Sequence, residues 1–232
     1  MTRSEPLGPR PFIAEIVGPA GAGKSTVFDL LLAGGHAVRA PRLGRTRRGP
    51  LLARHAVGAL GTVVRHRALR SMTLERLLAM AYVQALPAAI RSHGHPGNQL
   101  PVLLDQGPVY FLSRPFATTP QLAHWRERWL SVWRERLDVV VSLDAPDDVL
   151  AERIRTRPKE HALKQSPDEV AHSTLRAARA AYEDALVRLC ENGCVQLLRF
   201  DTSAATPEVI AAEVLPGLRR PTGRGTGAAG AR

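Results

Sequence analysis

The stretch Phe12-Ile13-Ala14-Glu15-Ile16-Val17-Gly18-Pro19-Ala20-Gly21-Ala22-Gly23-Lys24-Ser25-Thr26 decides the fold. Its first six residues are mostly apolar and include β-branched side chains, which is the pattern of a buried strand. A glycine-rich turn follows. Lys24 to about Ala33 then has the pattern of a short helix, ended by Gly34-Gly35. Strand, glycine loop and helix make the opening half of a βαβ unit. The loop fits GxxxxGK[ST] and stands where that motif must stand. Its glycines let the backbone curl until successive N–H groups face phosphate oxygens, and the helix start adds partial positive charge. Lys24 is placed to reach the β- and γ-phosphates, and the Ser25 hydroxyl to ligate Mg²⁺. The expected site for a nucleoside triphosphate such as ATP is therefore Gly18, Pro19, Ala20, Gly21, Ala22, Gly23, Lys24, Ser25 and Thr26. The alternative is a glycine-rich turn with no ligand.

Working outward, three more apolar runs read as strands: Leu100–Leu104 ending in Asp105, Leu137–Leu143 ending in Asp144, and Val195–Phe200. Helices are expected over about Ser71–Ser92, Gln121–Arg136, Pro146–Arg157, Pro167 or Asp168 to Glu191, and Thr206–Leu215. Pro87 should kink or end the first of these. Leu51–Val64 is mostly apolar but broken by Arg54, His55, Gly58 and Gly61. Alternating strands and helices, with strands apolar throughout, indicate a parallel sheet covered on both faces. The expected fold is α/β, a three-layer α/β/α arrangement around a central parallel five-stranded sheet. Trp125, Trp129 and Trp133 recur every four residues and so form one stripe, read as packing anchors rather than a base-stacking platform. Residues 1–11 read as a loose leader, 12–218 as one domain, and 219–232 as a disordered tail without apolar anchors.

Composition excludes several classes. With 232 residues, 44% hydrophobic and 23% charged, the chain is neither fibrous nor wholly disordered. It has no apolar run long enough to cross a membrane and no apolar signal segment behind MTRSEPLGPRPF. Its two cysteines, Cys190 and Cys194, build no disulfide framework and are not spaced as CxxC, so a cytoplasmic setting is expected. The eight histidines are scattered, which leaves no metal expected beyond Mg²⁺. A net charge of +11 points to anionic partners. Only Lys24, Lys159 and Lys164 are lysine, so the arginine excess is also what a GC-rich coding bias would produce.

Two further elements narrow the chemistry. Leu103-Leu104-Asp105-Gln106-Gly107 puts a carboxylate at the C-terminal end of a strand, where ligands bind in an open parallel sheet. Asp105 is then placed to hold Mg²⁺ or to take the acceptor's hydroxyl proton. Asp144 competes for that role, although Ala145-Pro146-Asp147-Asp148 reads better as a helix start. Arg153 and Arg157, four apart, share one helix face ahead of Lys159 and Lys164. They suit a cationic lid over 153–167 that would neutralise a transferring phosphoryl group and exclude water. Favourable placement near a helix C-terminus is the other explanation.

These segments in this order, with LDAPDDVLAERIRTRPKE and FDTSAATPEVI, resemble the nucleoside and nucleoside-monophosphate kinases, in particular the thymidylate-kinase-like and deoxynucleoside-kinase-like branch. The resemblance spans about residues 12–44 and 100–218. It implies that the glycine loop binds ATP and Mg²⁺, that Asp105 is the acidic residue of the family's DR or ER pair, and that Arg153 and Arg157 are lid arginines. The segment after Phe200 would lie beside adenine. A helical acceptor region would occupy 36–99, and a homodimer would be common. The chain departs from the family at Gln106, where the arginine that holds the acceptor usually stands; Arg114 or an arginine from 39–48 would replace it.

That acceptor region carries nine arginines between positions 36 and 70, and no carboxylate side chain occurs between Asp29 and Glu75. Four readings follow: an anionic acceptor held by Arg39, Arg42 or Arg45; nonspecific nucleic-acid contact, the weakest of the four; an anionic membrane surface met by 51–70; or a solvated face inherited from codon bias. The leading expectation is a phosphotransferase that moves the γ-phosphoryl of Mg·ATP to a small molecule, with Lys24, Asp105, Arg153 and Arg157 as the catalytic set. The alternatives are a nucleotide-gated ATPase and a noncatalytic ATP-binding module.

Overall fold

A computed structural model of the protein describes residues 10–40, 49–65, 72–91, 100–158, 160–191 and 193–218. Most of the expected leader, the tail at 219–232, and Arg42, Arg45, Arg47 and Arg48 lie outside the described residues.

The expected parallel sheet is present. Five strands, β1 (Ile13–Val17), β2 (Val38–Arg39), β3 (Val102–Asp105), β4 (Val139–Asp144) and β5 (Gln196–Asp201), run parallel in the order β2-β3-β1-β4-β5. The phosphate loop therefore leaves the central strand. On either side of β1, Ile16 stands opposite Asp105 of β3 and opposite Val141 of β4. The helices are α1 (Lys24–Ala33), α2 (Gly49–Arg65), α3 (Leu74–Arg91), α4 (Pro108–Leu112), α5 (Ala123–Arg134), α6 (Asp147–Thr156), α7 (Asp168–Cys190) and α8 (Pro207–Val214).

Side chains alternate across a strand, so each strand feeds two cores. Ala14, Ile16, Leu103, Val139 and Val141 pack in one with residues of α1, α6 and α8. Ile13, Val17, Val102, Leu104 and Val140 pack in the other with residues of α3, α4, α5 and the end of α7. This makes the three layers. The same alternation aims Glu15 into the second layer and Asp105 toward the side of α1. Trp125 and Trp133 are buried in the second core with Trp129 packed against it, as anchors.

The structure adds three details to the sequence reading. First, the broken apolar stretch is a helix, α2. Ala59 and Val63 are fully buried against its neighbours. Burial along one face outweighs the propensity cost of two glycines, about 1 kcal/mol each. Second, α3 does not end at Pro87; it runs on to Arg91. Proline lacks the N–H that would bond Val83 O, four residues back. The indole N–H of Trp133 donates to that carbonyl instead, at 3.3 Å. A side chain from α5 thus satisfies the acceptor that proline leaves open. Third, α4 and the two-residue β2 have too few residues to show a period.

Candidate active site

The turn after β1 is set by sterics before any ligand arrives. Gly18 has φ 141°, and a Cβ there would lie 2.0 Å from the carbonyl oxygen of Leu143 at the end of β4. Only glycine lets the loop pass so close to the neighbouring strand. The chain then turns through Gly23 into α1, whose first amides have no side-chain cap. Uncapped N–H groups at a helix start form a ready anion site.

This loop forms the floor of an open cavity of about 760 Å³. Gly18, Pro19, Ala20, Gly21, Gly23, Lys24, Ser25 and Thr26 line it, together with Asp105, Gln106, Arg114, Arg153 and Arg157. Of the expected loop set only Ala22 is turned away, fully buried under the loop. Lys24 Nζ donates to Gly18 O at 2.8 Å and to Pro19 O at 2.6 Å. Its amine is pulled down to about 8, chiefly by burial and further by Arg157, while Asp105 opposes the shift. A polyphosphate offers a stronger partner than two carbonyls, because both groups are then charged.

Of the two strand-end carboxylates, only Asp105 lines the cavity. Asp144 is held by Arg179 of α7, which also pairs with Asp147. Its Oδ1 accepts from Ala145 N, so it is committed to closing the β4 end. Ser25 and Asp105 supply one hydroxyl and one carboxylate beside the phosphate loop. That donor set fits Mg²⁺, which is commonly held by one or two protein oxygens together with substrate phosphates.

The two arginines expected in a lid differ in their contacts. Arg153 Nη1 and Nη2 donate to Oγ1 and O of Thr202, at 2.8 and 2.9 Å, which ties α6 to the loop after β5. Arg157 Nε is buried and has no hydrogen-bond partner. A buried guanidinium N–H without a partner calls for an explanation, and Arg157 lines the cavity above the glycine loop. Arg39 lies outside the cavity, paired with Asp29 at 3.1 Å and lying 4.4 Å from the Phe28 ring centroid. Arg42 lies outside the described residues.

A second cavity, of about 450 Å³, adjoins the first. Its walls are Tyr82, Phe111 and Phe116, with Leu52 and Leu78, and its polar groups are Glu75, Arg76 and Arg114. Tyr110 and Arg114 line both cavities and stack on each other, 5.5 Å from guanidinium to ring centre. Arg114, expected as an acceptor residue, thus stands at the junction. Sequence reasoning missed Tyr82, Tyr110 and the α3 residues, because a cavity wall assembled from distant segments has no local pattern.

It also missed Glu15. The strand run around it reads as apolar, yet Glu15 is a carboxylate with no exposed surface. Oε2 accepts from Val109 N at 2.9 Å and Oε1 from Tyr110 N at 3.0 Å. Burial pushes its carboxyl up to about 8; the N–H groups of Tyr110, Val109 and Gly107 pull it down, and Asp105 adds a smaller upward push. Gly107 must be glycine because a Cβ would sit 2.7 Å from the Glu15 carboxyl carbon. The one polar position in an otherwise apolar strand was the available signal.

No family model and no curated protein matches the chain. Among solved structures it is similar to deoxyadenosine kinase from M.mycoides with bound dATP, at 13% identity and a TM-score of 0.49, over 89% of this chain and 99% of that one.

Proposed function

We propose that the protein is a phosphotransferase that moves the γ-phosphoryl of Mg·ATP to a small acceptor in the aromatic cavity. The observation that carries this reading is the joining of two cavities at Tyr110 and Arg114. One is floored by a phosphate loop and holds Lys24, Ser25 and Asp105. The other has the aromatic walls and few polar groups of a small-molecule site.

In this reading Lys24 leaves the carbonyls of Gly18 and Pro19 for the β- and γ-phosphates. Ser25 and Asp105 hold Mg²⁺, which would neutralise phosphate charge. Arg157 closes on the transferring group, and Arg153 keeps the adenine-side loop in place through Thr202. Tyr110 and Arg114 orient the acceptor hydroxyl toward the γ-phosphate. The cavity volume and its flat aromatic walls suit a nucleoside-sized acceptor. Positioning and charge stabilisation supply most of the rate in such reactions.

The test is ADP release from Mg·ATP, alone and with panels of nucleosides, nucleotides and sugars. Acceptor-dependent release is expected. Release that ignores the acceptor would replace this reading with a nucleotide-gated ATPase, and tight binding without turnover would leave a noncatalytic module.

A further inference from the structure

The inference concerns the short segment between the two cavities, and it rests on the phosphotransferase reading above. Helix α4 has five residues and no side-chain cap, and it follows a turn in which Gln106 has φ 61°. A helix this short does not hold itself together in water. Yet it carries Tyr110 and leads directly into Arg114, the two residues that face donor and acceptor at once.

Two buried polar side chains grip its ends. At the N-terminal end Glu15 takes the N–H of Val109 on one carboxylate oxygen and that of Tyr110 on the other. At the C-terminal end Arg126, 4% exposed, donates from Nε to Leu112 O at 2.8 Å. Arg126 is fixed in turn by Asp184 of α7 at 2.6 Å. A carboxyl group at the amide end and a guanidinium at the carbonyl end each satisfy backbone groups that so short a helix leaves open. Glu15 lies on β1 three residues before the phosphate loop. The strand that sets the loop therefore also sets the backbone of Tyr110.

We propose that Glu15 is a positioning residue for phosphoryl transfer, fixing Tyr110 and Arg114 relative to the phosphate loop through the amides of Val109 and Tyr110. It touches neither donor nor acceptor. Carboxylate is the side chain the task requires. Two N–H donors need two acceptor oxygens, and glutamine would aim its own NH₂ at one of them. Gly107 leaves the room the carboxylate occupies.

The test compares wild type with Glu15→Gln in the full chain by three measurements. These are amide hydrogen exchange, Mg·ATP affinity by calorimetry, and turnover with an equimolar mixture of ribo- and deoxynucleosides as acceptor. Losing one buried hydrogen bond and leaving its N–H unsatisfied corresponds to roughly tenfold. Exchange at Val109 or Tyr110 is expected to quicken by about that factor while α1 amides hold, the apparent acceptor KM to rise by about tenfold, and Mg·ATP affinity to stay within about twofold. Unchanged exchange at both amides would overturn the proposal. So would a loss shared equally by ATP and acceptor, which is the mark of a general loosening. If Glu15→Gln does not fold, Gly107→Ala displaces the same carboxylate without altering charge and is read in the same way. If wild type turns over no nucleoside, the phosphotransferase reading falls, while exchange and ATP affinity still judge the role of Glu15.

Discussion

Lys24 gives the candidate site an unusual pH signature. Burial pulls its amine down to about 8 from an ordinary 10.5. A triphosphate brings negative charge to that amine and restores the protonated form. Below about pH 8 the free protein already carries the proton, and binding needs no proton uptake. Above it, each pH unit costs the complex about a factor of ten, until the amine of the complex itself titrates. Between about pH 8, where half the amines are already deprotonated, and pH 9.5 Mg·ATP affinity should fall by roughly fifteenfold. The stability of the free protein should move the other way. A lysine whose folded value lies below its unfolded one binds fewer protons when folded across this window, so stability rises with pH there. The slope is about 1.4 kcal/mol per unit, or about 2 kcal/mol over the window, an upper figure for a side chain that keeps part of its surface on the cavity. Glu15 completes its own change near the lower edge, and Tyr82, pushed up to about 12 by burial, acts above the window. Calorimetric titration and chemical denaturation at several pH values give both slopes. Lys24→Met should flatten both. A wild-type affinity that stays level from about pH 7 to about pH 9.5 would refute the argument, as would a Lys24→Met protein that keeps the slope.

Three other outcomes follow from the geometry. Asp105→Asn should keep nucleotide binding and lose acceptor-dependent turnover by about a hundredfold or more, measured as ADP release. Gly18→Ala should unfold the protein at markedly lower denaturant, because its Cβ would meet Leu143 O at 2.0 Å and no side chain can yield there. Trp133→Phe should cost about 1–3 kcal/mol beyond its lost packing by leaving the Val83 carbonyl without a donor. In a double-mutant cycle Pro87→Ala should recover part of that, since alanine supplies the missing N–H.

Legibility followed the range of the interactions. The phosphate loop was readable because its whole mechanism lies within nine consecutive residues. The strands were readable because the sheet is covered on both faces and leaves each a plain apolar run. Asp105 could be placed at a strand end, but its advantage over Asp144 could not, since Arg179 reaches Asp144 from 35 positions away. α2 was hidden because Gly58 and Gly61 weaken the local signal, and the compensating burial of Ala59 and Val63 depends on neighbouring elements. Arg39, an apparent acceptor residue, is instead committed to Asp29 and Phe28.

Glu15 and Pro87 share a logic that the local sequence does not display. Each breaks a local rule, a charge in a central strand and a proline inside a helix, and each would be costly alone. A buried carboxylate without partners loses several kcal/mol, and so does an interior proline. Both costs are offset by one partner from a distant segment: the amides of α4 for Glu15, and the indole of Trp133 for the carbonyl that Pro87 leaves open. The two repairs lie in the same layer, the one that holds α3, α4 and α5, and residues of α3 and α4 line the second cavity. An all-apolar version of it could pack as densely, but apolar contacts are non-directional and would let α4 slide. Hydrogen bonds to fixed amides allow only one placement. In the proposed reading the site brings a hydroxyl to a phosphate, which needs position held to within about 1 Å. The local irregularities therefore concentrate where packing alone could not define the geometry.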